Sequence, residues 1–238
     1  MAKNCLLVSA GWLLTVKEDR ECREDWAFLI DDGTITDIGP RKDLNAKYST
    51  SDKLALNEHI ICPGLINCHN HAAMKLMRGL GQGLNLDDWL HQAIWPFERE
   101  YLDAPNVSLG AELAMVEMLM SGITTFSDMY FFPETVASVA ERLGLNIQLA
   151  VPIISLDTRW ARGSEECIHR ALALHDLYRD HQHVSVAFGP HSVEALDLET
   201  LEKIGMYADE LDIGIQIHLQ ETSGELDRAL MTHGHSFV

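Results

Sequence analysis

Two histidines separated by a single residue could bind a metal ion. His69 and His71 lie in PGLINCHNH, where a short apolar run after Pro63-Gly64 predicts a strand. Side chains two positions apart in a strand emerge on the same face, so both imidazoles could reach one ion. Pairs at this spacing also arise by chance in a chain with twelve histidines, so the pair alone does not establish a metal site.

A third histidine, His218, lies in a segment of alternating polarity. In GIQIHLQET, polar side chains at 216, 218 and 220 share one predicted strand face, and apolar side chains at 215, 217 and 219 share the other. A strand buried in a parallel barrel is normally apolar on both faces unless its polar face lines a site. The pattern predicts His218 as the third ligand, and the alternative is a hydrogen-bonded histidine in the core.

Two further side chains follow predicted strand ends. Glu221 comes just after the strand of His218 and, beside a metal-bound water, would act as general acid and base by alternating between two protonation states. Its alternative role is a solvated surface charge. His191 in FGPHS would hydrogen-bond a substrate ring or the metal-bound hydroxide, with an ordinary loop histidine as the alternative.

The five cysteines are odd in number, widely spaced and never arranged as C-x-x-C. This spacing disfavours a disulfide framework or an all-cysteine zinc site. Cys68 lies beside His69, but strand alternation would point its thiol away from the histidine face. We therefore predict that Cys68 is a buried apolar thiol.

The composition excludes some classes of partner. With 47% apolar residues, a chain of 238 residues can bury a sizeable core. A formal net charge of −18 repels nucleic-acid phosphates and anionic lipid headgroups. The N-terminus has no signal-peptide cleavage pattern, and no apolar run approaches the roughly 20 residues that span a bilayer. We expect no nucleic-acid or membrane partner, and a cytoplasmic location.

Short predicted strands open the chain. They are rich in Leu, Val, Ile and Trp and cover residues 5–9, 12–17, 26–31 and 34–38. Asp32-Gly33 between the last two predicts a tight hairpin. A polar helix or loop follows near residues 41–52, so the segment is predicted to form a small antiparallel β unit.

From residue 60 onward, predicted strands and helices alternate. Beyond the strand of His69, the predicted strands cover residues 124–128, 147–154, 184–188 and 213–219. A helix is predicted over residues 133–143, with Pro133 in its first turn and Gly144 as its end. The alternation predicts an α/β fold with a parallel sheet, either a barrel or a doubly wound sheet.

A long connection over residues 72–122 separates the first two strands of this region. Such a connection is suited to a pocket wall or a lid over a site. Its aromatic residues Trp89, Trp95 and Phe97 are interpreted as helix packing rather than as a ring-stacking wall.

The joint pattern of PGLINCHNH, GPHS and HLQET resembles the amidohydrolase superfamily, in its deaminase and chlorohydrolase branch. Within that branch, MRGLGQGLNLDDWLHQAIWPFERE is similar to the corresponding segment of the 5-methylthioadenosine/S-adenosylhomocysteine deaminases. The resemblance implies an α/β fold, an incomplete (β/α)₈ TIM-like barrel with a small N-terminal β-sandwich portion. Residues 1–59 would form the N-terminal part of a composite β-sandwich, and residues 60–238 the first five βα units of a truncated barrel.

The resemblance also implies a metal centre. One divalent metal, usually zinc with Fe²⁺ as the alternative, would be held by His69, His71 and His218. His218 and Glu221 would be the catalytic residues, with Glu221 as the proton shuttle.

The implied substrate-binding residues are Glu98, Arg162, His191 and Glu221. Glu98 in PFERE matches the position that contacts sugar hydroxyls, and His191 matches the histidine that contacts the substrate. Arg162 in WARGSEE matches a substrate-binding arginine, and Arg159 competes with it for that role.

The implied activity is hydrolytic deamination of an adenine nucleoside, such as 5-methylthioadenosine or S-adenosylhomocysteine, with release of ammonia. Residues 148–154 carry no basic side chain where some members have a second arginine, which favours methylthioadenosine or a related nucleoside. The alternatives are an aminohydrolase or chlorohydrolase acting on a triazine, guanine or cytosine-type ring, and a non-catalytic metal-binding remnant.

The family pattern runs to about twice this length and supplies a further metal-shell histidine and an aspartate beyond the matched segment. We therefore expect this chain to be inactive alone, and to need another polypeptide. That partner would be a second copy of the chain or the missing C-terminal half.

Overall fold

A computed structural model describes residues 5–16 and 21–237, and the chain divides into two compact units. The first covers Met1–Gly64 and the second Leu65–Val238. The division lies after Gly64, a few residues beyond the expected boundary at residue 59, and Ile60 and Ile61 still pair with a strand of the first unit.

The first unit is a five-stranded sheet. Its elements are β1 (Cys5–Leu14), β2 (Cys22–Glu24), β3 (Trp26–Asp31), β4 (Thr34–Pro40), helix α1 (Arg41–Lys47) and β5 (Asp52–Ile61). The strand order is β2-β1-β3-β4, and β5 pairs in parallel with β1. The predicted strands at 5–9 and 12–17 form one continuous strand as far as Leu14, and residues 17–20 lie outside the described residues.

The first unit contains one hairpin that was predicted and one strand that was not. The Asp32-Gly33 hairpin is confirmed, because both residues have positive φ, of 50° and 77°, and join β3 to β4. Strand β5 was missed by the sequence analysis. Half of its residues are polar and most are exposed, and its pairing with β1 defines it.

The second unit is built on four parallel strands in the order β6-β7-β8-β9. They are β6 (Leu65–Asn70), β7 (Ile123–Asp128), β8 (Asn146–Ile153) and β9 (Val184–Pro190). Helices α5 (Pro133–Leu143), α6 (Gly163–Tyr178) and α7 (Leu198–Leu211) follow the last three strands in turn. Their apolar faces and the strands share one buried core, as expected for βα units.

The connection between β6 and β7 is helical throughout most of its length. It contains a 3₁₀ helix (Ala72–Met77), α2 (Leu86–Trp89), a π-helical turn (Leu90–Ile94), α3 (Trp95–Tyr101) and α4 (Ala104–Met120). The last helix, α8 (Ser223–His233), follows the segment that contains His218. Within the described residues, none of the helices is long and apolar enough to cross a membrane.

The predicted strand at residues 213–219 does not form as a strand. The segment lies beside β9 and makes two isolated parallel bridges, Phe188 to Ile215 and Ser192 to His218. Backbone hydrogen bonds join Gly214 and Gln216 to Phe188 of β9, and His218 to His191, the residue after β9. Within the described residues the segment pairs with one neighbour only, through these isolated bridges and hydrogen bonds.

Candidate active site

Three histidine side chains converge at the carboxyl ends of the parallel strands. His69 and His71 come from the end of β6, and His218 comes from the segment beside β9. The Nε2 atom of His218 lies 3.3 Å from the Nε2 atoms of both His69 and His71. A tetrahedral zinc ion with Zn–N bonds of about 2.0–2.1 Å separates its ligand nitrogens by about 3.3–3.4 Å. The spacing of the three imidazoles fits such an ion.

Backbone carbonyls set the tautomers of two of these rings. The Nδ1 of His71 donates to the carbonyl oxygen of Met129 at 2.6 Å, and the Nδ1 of His218 donates to that of His191 at 2.8 Å. A carbonyl oxygen only accepts hydrogen bonds, so the proton lies on Nδ1 and Nε2 keeps its lone pair. This is the arrangement that a metal-binding imidazole requires.

The electrostatic environment also favours neutral imidazoles. Burial and the neighbouring histidines lower the pKa of His71 to about 4, although its bond to Met129 acts in the opposite direction. Burial, and then the charge of His218, lowers the pKa of His69. Neutral imidazoles bind divalent metals because they do not need to lose a proton first.

Among the described residues, these three histidines form the one cluster able to hold a metal ion through at least three side chains. Their candidate ligand atoms all lie within 4.8 Å of one another. Cys68 is not part of this cluster, and its predicted burial is wrong: the residue is exposed. Its strand β6 has a described neighbour on one side only, which leaves residues on this strand uncovered.

The three histidines line a pocket of about 300 Å³. The connection between β6 and β7 supplies much of its wall, including Trp89 and Trp95. Both tryptophans also pack against the core, so their interpretation as helix packing was incomplete. The pocket combines flat apolar surfaces with a few polar groups, as small-molecule sites commonly do.

Glu221 also lines this pocket. The preceding residue, Gln220, has a φ of 49°, which turns the chain sharply after His218 and breaks the alternation expected from the sequence. The backbone N–H of Glu221 donates to the carboxylate of Glu225 at 3.0 Å. The Glu221 carboxylate is close enough to His69 to favour the protonated form of that ring.

His191 follows β9 and is half-buried beside the cluster. Its ring centroid lies 4.9 Å from that of His218, and it lines the same pocket. Burial and the nearby histidines lower its pKa to about 4. A neutral ring at this position can exchange hydrogen bonds with a bound molecule.

Glu98 lies in the pocket wall and is hydrogen-bonded to Tyr130, which was not predicted from the sequence to be part of the site. The hydroxyl of Tyr130 donates to Oε1 of Glu98 at 2.6 Å. Burial raises the pKa of Glu98, and the hydrogen bond from Tyr130 partly offsets that effect. The bond occupies one side of Oε1 and leaves Oε2 as an acceptor for a ligand.

The two candidate arginines occupy different places. Arg159 lines an adjoining pocket of about 220 Å³, which also includes Glu98 and Trp95. Its guanidinium donates to the backbone carbonyls of Arg99 and Glu100, at 3.3 and 3.0 Å. Arg162 is exposed at the N-terminus of α6 and is absent from the described lining of both pockets.

Three consecutive residues support the site, the last of β7 and the two that follow it, and none of them was predicted from the sequence. Asp128 accepts a hydrogen bond from the backbone of Ala72, Met129 holds His71, and Tyr130 holds Glu98. The available signal was an aspartate at the end of a predicted buried strand, in TTFSDMY. The contribution of Met129 has no sequence signal, because its backbone carbonyl makes the contact.

Comparison with known proteins gives consistent results. The 5-methylthioadenosine/S-adenosylhomocysteine deaminase of Saccharophagus degradans is 42% identical over 96% of this chain. The chain spans about half of that relative, 51% of its length.

Solved structures extend the likeness to the fold. An adenosine deaminase from Xanthomonas campestris with bound zinc is 32% identical and has a TM-score of 0.94, covering 97% of this chain and 53% of its own. A triazine hydrolase from Arthrobacter, 21% identical with a TM-score of 0.86 over 98% of this chain and 56% of its own, shares the fold. Residues 60–237 match the sequence pattern of the amidohydrolase family. The chain therefore belongs to the amidohydrolase family.

Proposed function

We propose that this chain supplies the metal-binding half of a hydrolase that deaminates an adenine nucleoside. The observation that carries the proposal is the meeting of three imidazoles and one carboxylate, Glu221, in the lining of a single pocket. Metal-dependent hydrolytic deamination needs these two components, a held metal and a group that transfers protons. The names of the similar proteins support an adenine nucleoside as the substrate class.

His69, His71 and His218 would hold one divalent metal, which we propose is zinc. When bound, the metal supplies an attacking water whose pKa is lowered toward about 7. Met129 and His191 keep the Nε2 lone pairs of two ligands available, through their backbone carbonyls.

Glu221 would carry the protons. Its carboxylate takes a proton from the attacking water and delivers it to the ring nitrogen beside the amino-bearing carbon. Glu221 would then take the proton of the newly added hydroxyl group and pass it to the amino group. The bond from the carbon to this nitrogen breaks, ammonia leaves, and the oxygen remains on the ring as a carbonyl. His191 would orient the ring by a hydrogen bond from its neutral imidazole.

The remaining pocket residues would fix the nucleoside. Glu98, oriented by Tyr130, would accept hydrogen bonds from sugar hydroxyls, and the tryptophans would border the ring. Arg159 adjoins this region, but its guanidinium already donates to two backbone carbonyls. A substrate with a small apolar group on the sugar, such as methylthioadenosine, fits better than one bearing an amino-acid carboxylate.

We propose that turnover requires the second half of a barrel. The described sheet has four strands, while a closed (β/α)₈ barrel has eight. Leu65 and Ile66 on β6 are 56% and 67% exposed, which is unusual for strand residues of this fold. A polypeptide carrying the remaining strands would cover them.

The test compares two proteins, this chain alone and an extended chain continued by the second half of the Saccharophagus degradans relative. Both are loaded with zinc, and ammonia release is measured from methylthioadenosine, adenosine, S-adenosylhomocysteine, guanine and cytosine, with chloride release from a chlorotriazine. We expect the extended chain to deaminate methylthioadenosine fastest and the chain alone to be inactive. A preference for another ring would contradict the substrate, and bound zinc without turnover in either protein would favour a non-catalytic metal-binding role.

A further inference from the structure

Asp128 lies at the end of β7 and is 2% exposed. Among the described residues it is the one charged side chain that is buried to this degree. Burying a carboxylate opposes folding unless specific partners compensate for its lost hydration. The position therefore calls for a physical reason beyond packing.

The contacts of Asp128 lead to the metal-binding segment. Its Oδ1 accepts a hydrogen bond from the backbone N–H of Ala72, the residue after His71, at 2.6 Å. Asp128 also lies opposite Asn70, the residue before His71, in the parallel ladder between β6 and β7.

Met129, the residue after Asp128, is also hydrogen-bonded to the segment around His71. The backbone N–H of Met129 donates to the carbonyl of Asn70 at 2.9 Å, while its carbonyl accepts from the His71 ring at 2.6 Å. The chain is thus held on both sides of His71 and at its side chain. Of these bonds, only the one that Asp128 accepts from Ala72 involves a side chain of β7. It is therefore the only one of them that a substitution in β7 can remove.

The compensation for burial is incomplete. The second carboxylate oxygen, Oδ2, is buried and has no described hydrogen-bond partner, and the same is true of Nδ2 of Asn70. Buried polar atoms without partners are uncommon and call for an explanation.

We propose that Asp128 is a positioning residue for the metal centre, which fixes the backbone after His71 so that the imidazole points its Nε2 at the ion. The inference rests on the metal centre of the proposed function. Asp128 does not itself contact the ion or the substrate. Supporting hydrogen bonds of this kind commonly change metal affinity by about 10- to 100-fold.

The experiment measures cobalt binding by the complete 238-residue chain. Cobalt(II) substitutes for zinc, and its visible absorption reports the ligand set. Asp128→Ala removes the acceptor, and we expect the cobalt affinity to fall by about 10- to 100-fold. Asp128→Asn keeps an oxygen that can accept from Ala72, so it should bind within a few-fold of the parent with the same spectrum.

Asp197→Ala is the matched control. Asp197 also accepts a backbone hydrogen bond, from Thr200 at 2.7 Å, but caps α7 away from the metal-binding segment. It should lower stability toward urea without changing cobalt affinity. Urea unfolding of each metal-free variant separates loss of fold from loss of affinity. If Asp128→Ala does not fold, Asp128→Leu is used in its place. Leucine fills the space of the aspartate side chain but has no oxygen to accept the hydrogen bond from Ala72.

The outcomes separate the two proposals. Parent-like cobalt affinity in folded Asp128→Ala or Asp128→Leu would overturn the positioning role and leave the metal centre intact. Equal weakening in Asp128→Asn would also overturn it, because the acceptor would then not be the cause. A parent chain that binds no cobalt would overturn the metal centre and this inference with it.

Discussion

The Nε2 atoms of His71 and His218 lie 3.3 Å apart, although the residues are 147 positions apart in the chain. Both rings carry their proton on Nδ1, where each donates to a backbone carbonyl. Two nitrogen lone pairs therefore face each other, and a proton or a metal ion between them would remove their repulsion. This relationship is the reason that we expect the proposed metal site to need both rings.

Replacing one of these rings should abolish tight metal binding. His71→Ala leaves two imidazoles, and we expect the bound zinc in metal analysis to fall from one ion per chain to a small fraction of that. His169→Ala removes an exposed histidine of α6 and should leave the zinc content unchanged. Equal zinc content in the two variants would contradict the site.

The depressed pKa of His71 should make a contribution to the stability of the metal-free chain that is lost as the pH falls toward about 4. The pKa of His71 is about 4 in the folded chain and 6.5 without perturbation. Between these values the unfolded chain binds a proton that the folded chain does not, so the free energy of unfolding decreases with falling pH. Asp128, whose pKa burial raises to about 7, acts in the opposite direction.

The contribution of His71 can be isolated with His71→Asn, since the other groups are present in both proteins. Urea unfolding with a chelator, from about pH 7 down to about pH 4, should show the stability of the parent falling more steeply than that of the variant. Parallel curves would mean that the pKa of His71 is not depressed.

Removing the ionisable group of Glu221 should stop proton transfer without removing the metal. In the extended chain, Glu221→Gln is expected to reduce kcat by roughly 100-fold or more while zinc content stays the same, because an amide cannot exchange the proton. Glu202→Gln alters an exposed carboxylate on α7 and serves as the control. Near-parental kcat in Glu221→Gln would remove this residue from the mechanism.

The hydrogen bond from Tyr130 to Glu98 should matter for sugar recognition. Tyr130→Phe leaves a buried carboxylate without its donor, and we expect the extended chain to bind adenosine about 10-fold or more weakly. Binding of adenine, which lacks the sugar, should change little when measured by calorimetry. Tyr101→Phe is the matched control, since Tyr101 pairs with Glu100 but is exposed. Equal losses for adenine and adenosine would contradict the assignment.

Local patterns in the sequence determined much of this protein. Pro133 and Gly144 mark the ends of α5, and Asp32-Gly33 forms the hairpin, because proline and glycine act through the backbone of their own turn. The H-x-H spacing likewise determined that His69 and His71 share a strand end, since strand side chains repeat every second residue.

Tertiary structure decided the features that depend on a neighbour. Strand β5 is defined by its pairing with β1, and isolated bridges place the segment around His218 beside β9. The same holds for the support of the site: the carbonyl of Met129 orients His71 and the hydroxyl of Tyr130 orients Glu98, across long sequence separations. A backbone carbonyl is identical in every residue, so only the fold determines which imidazole it holds.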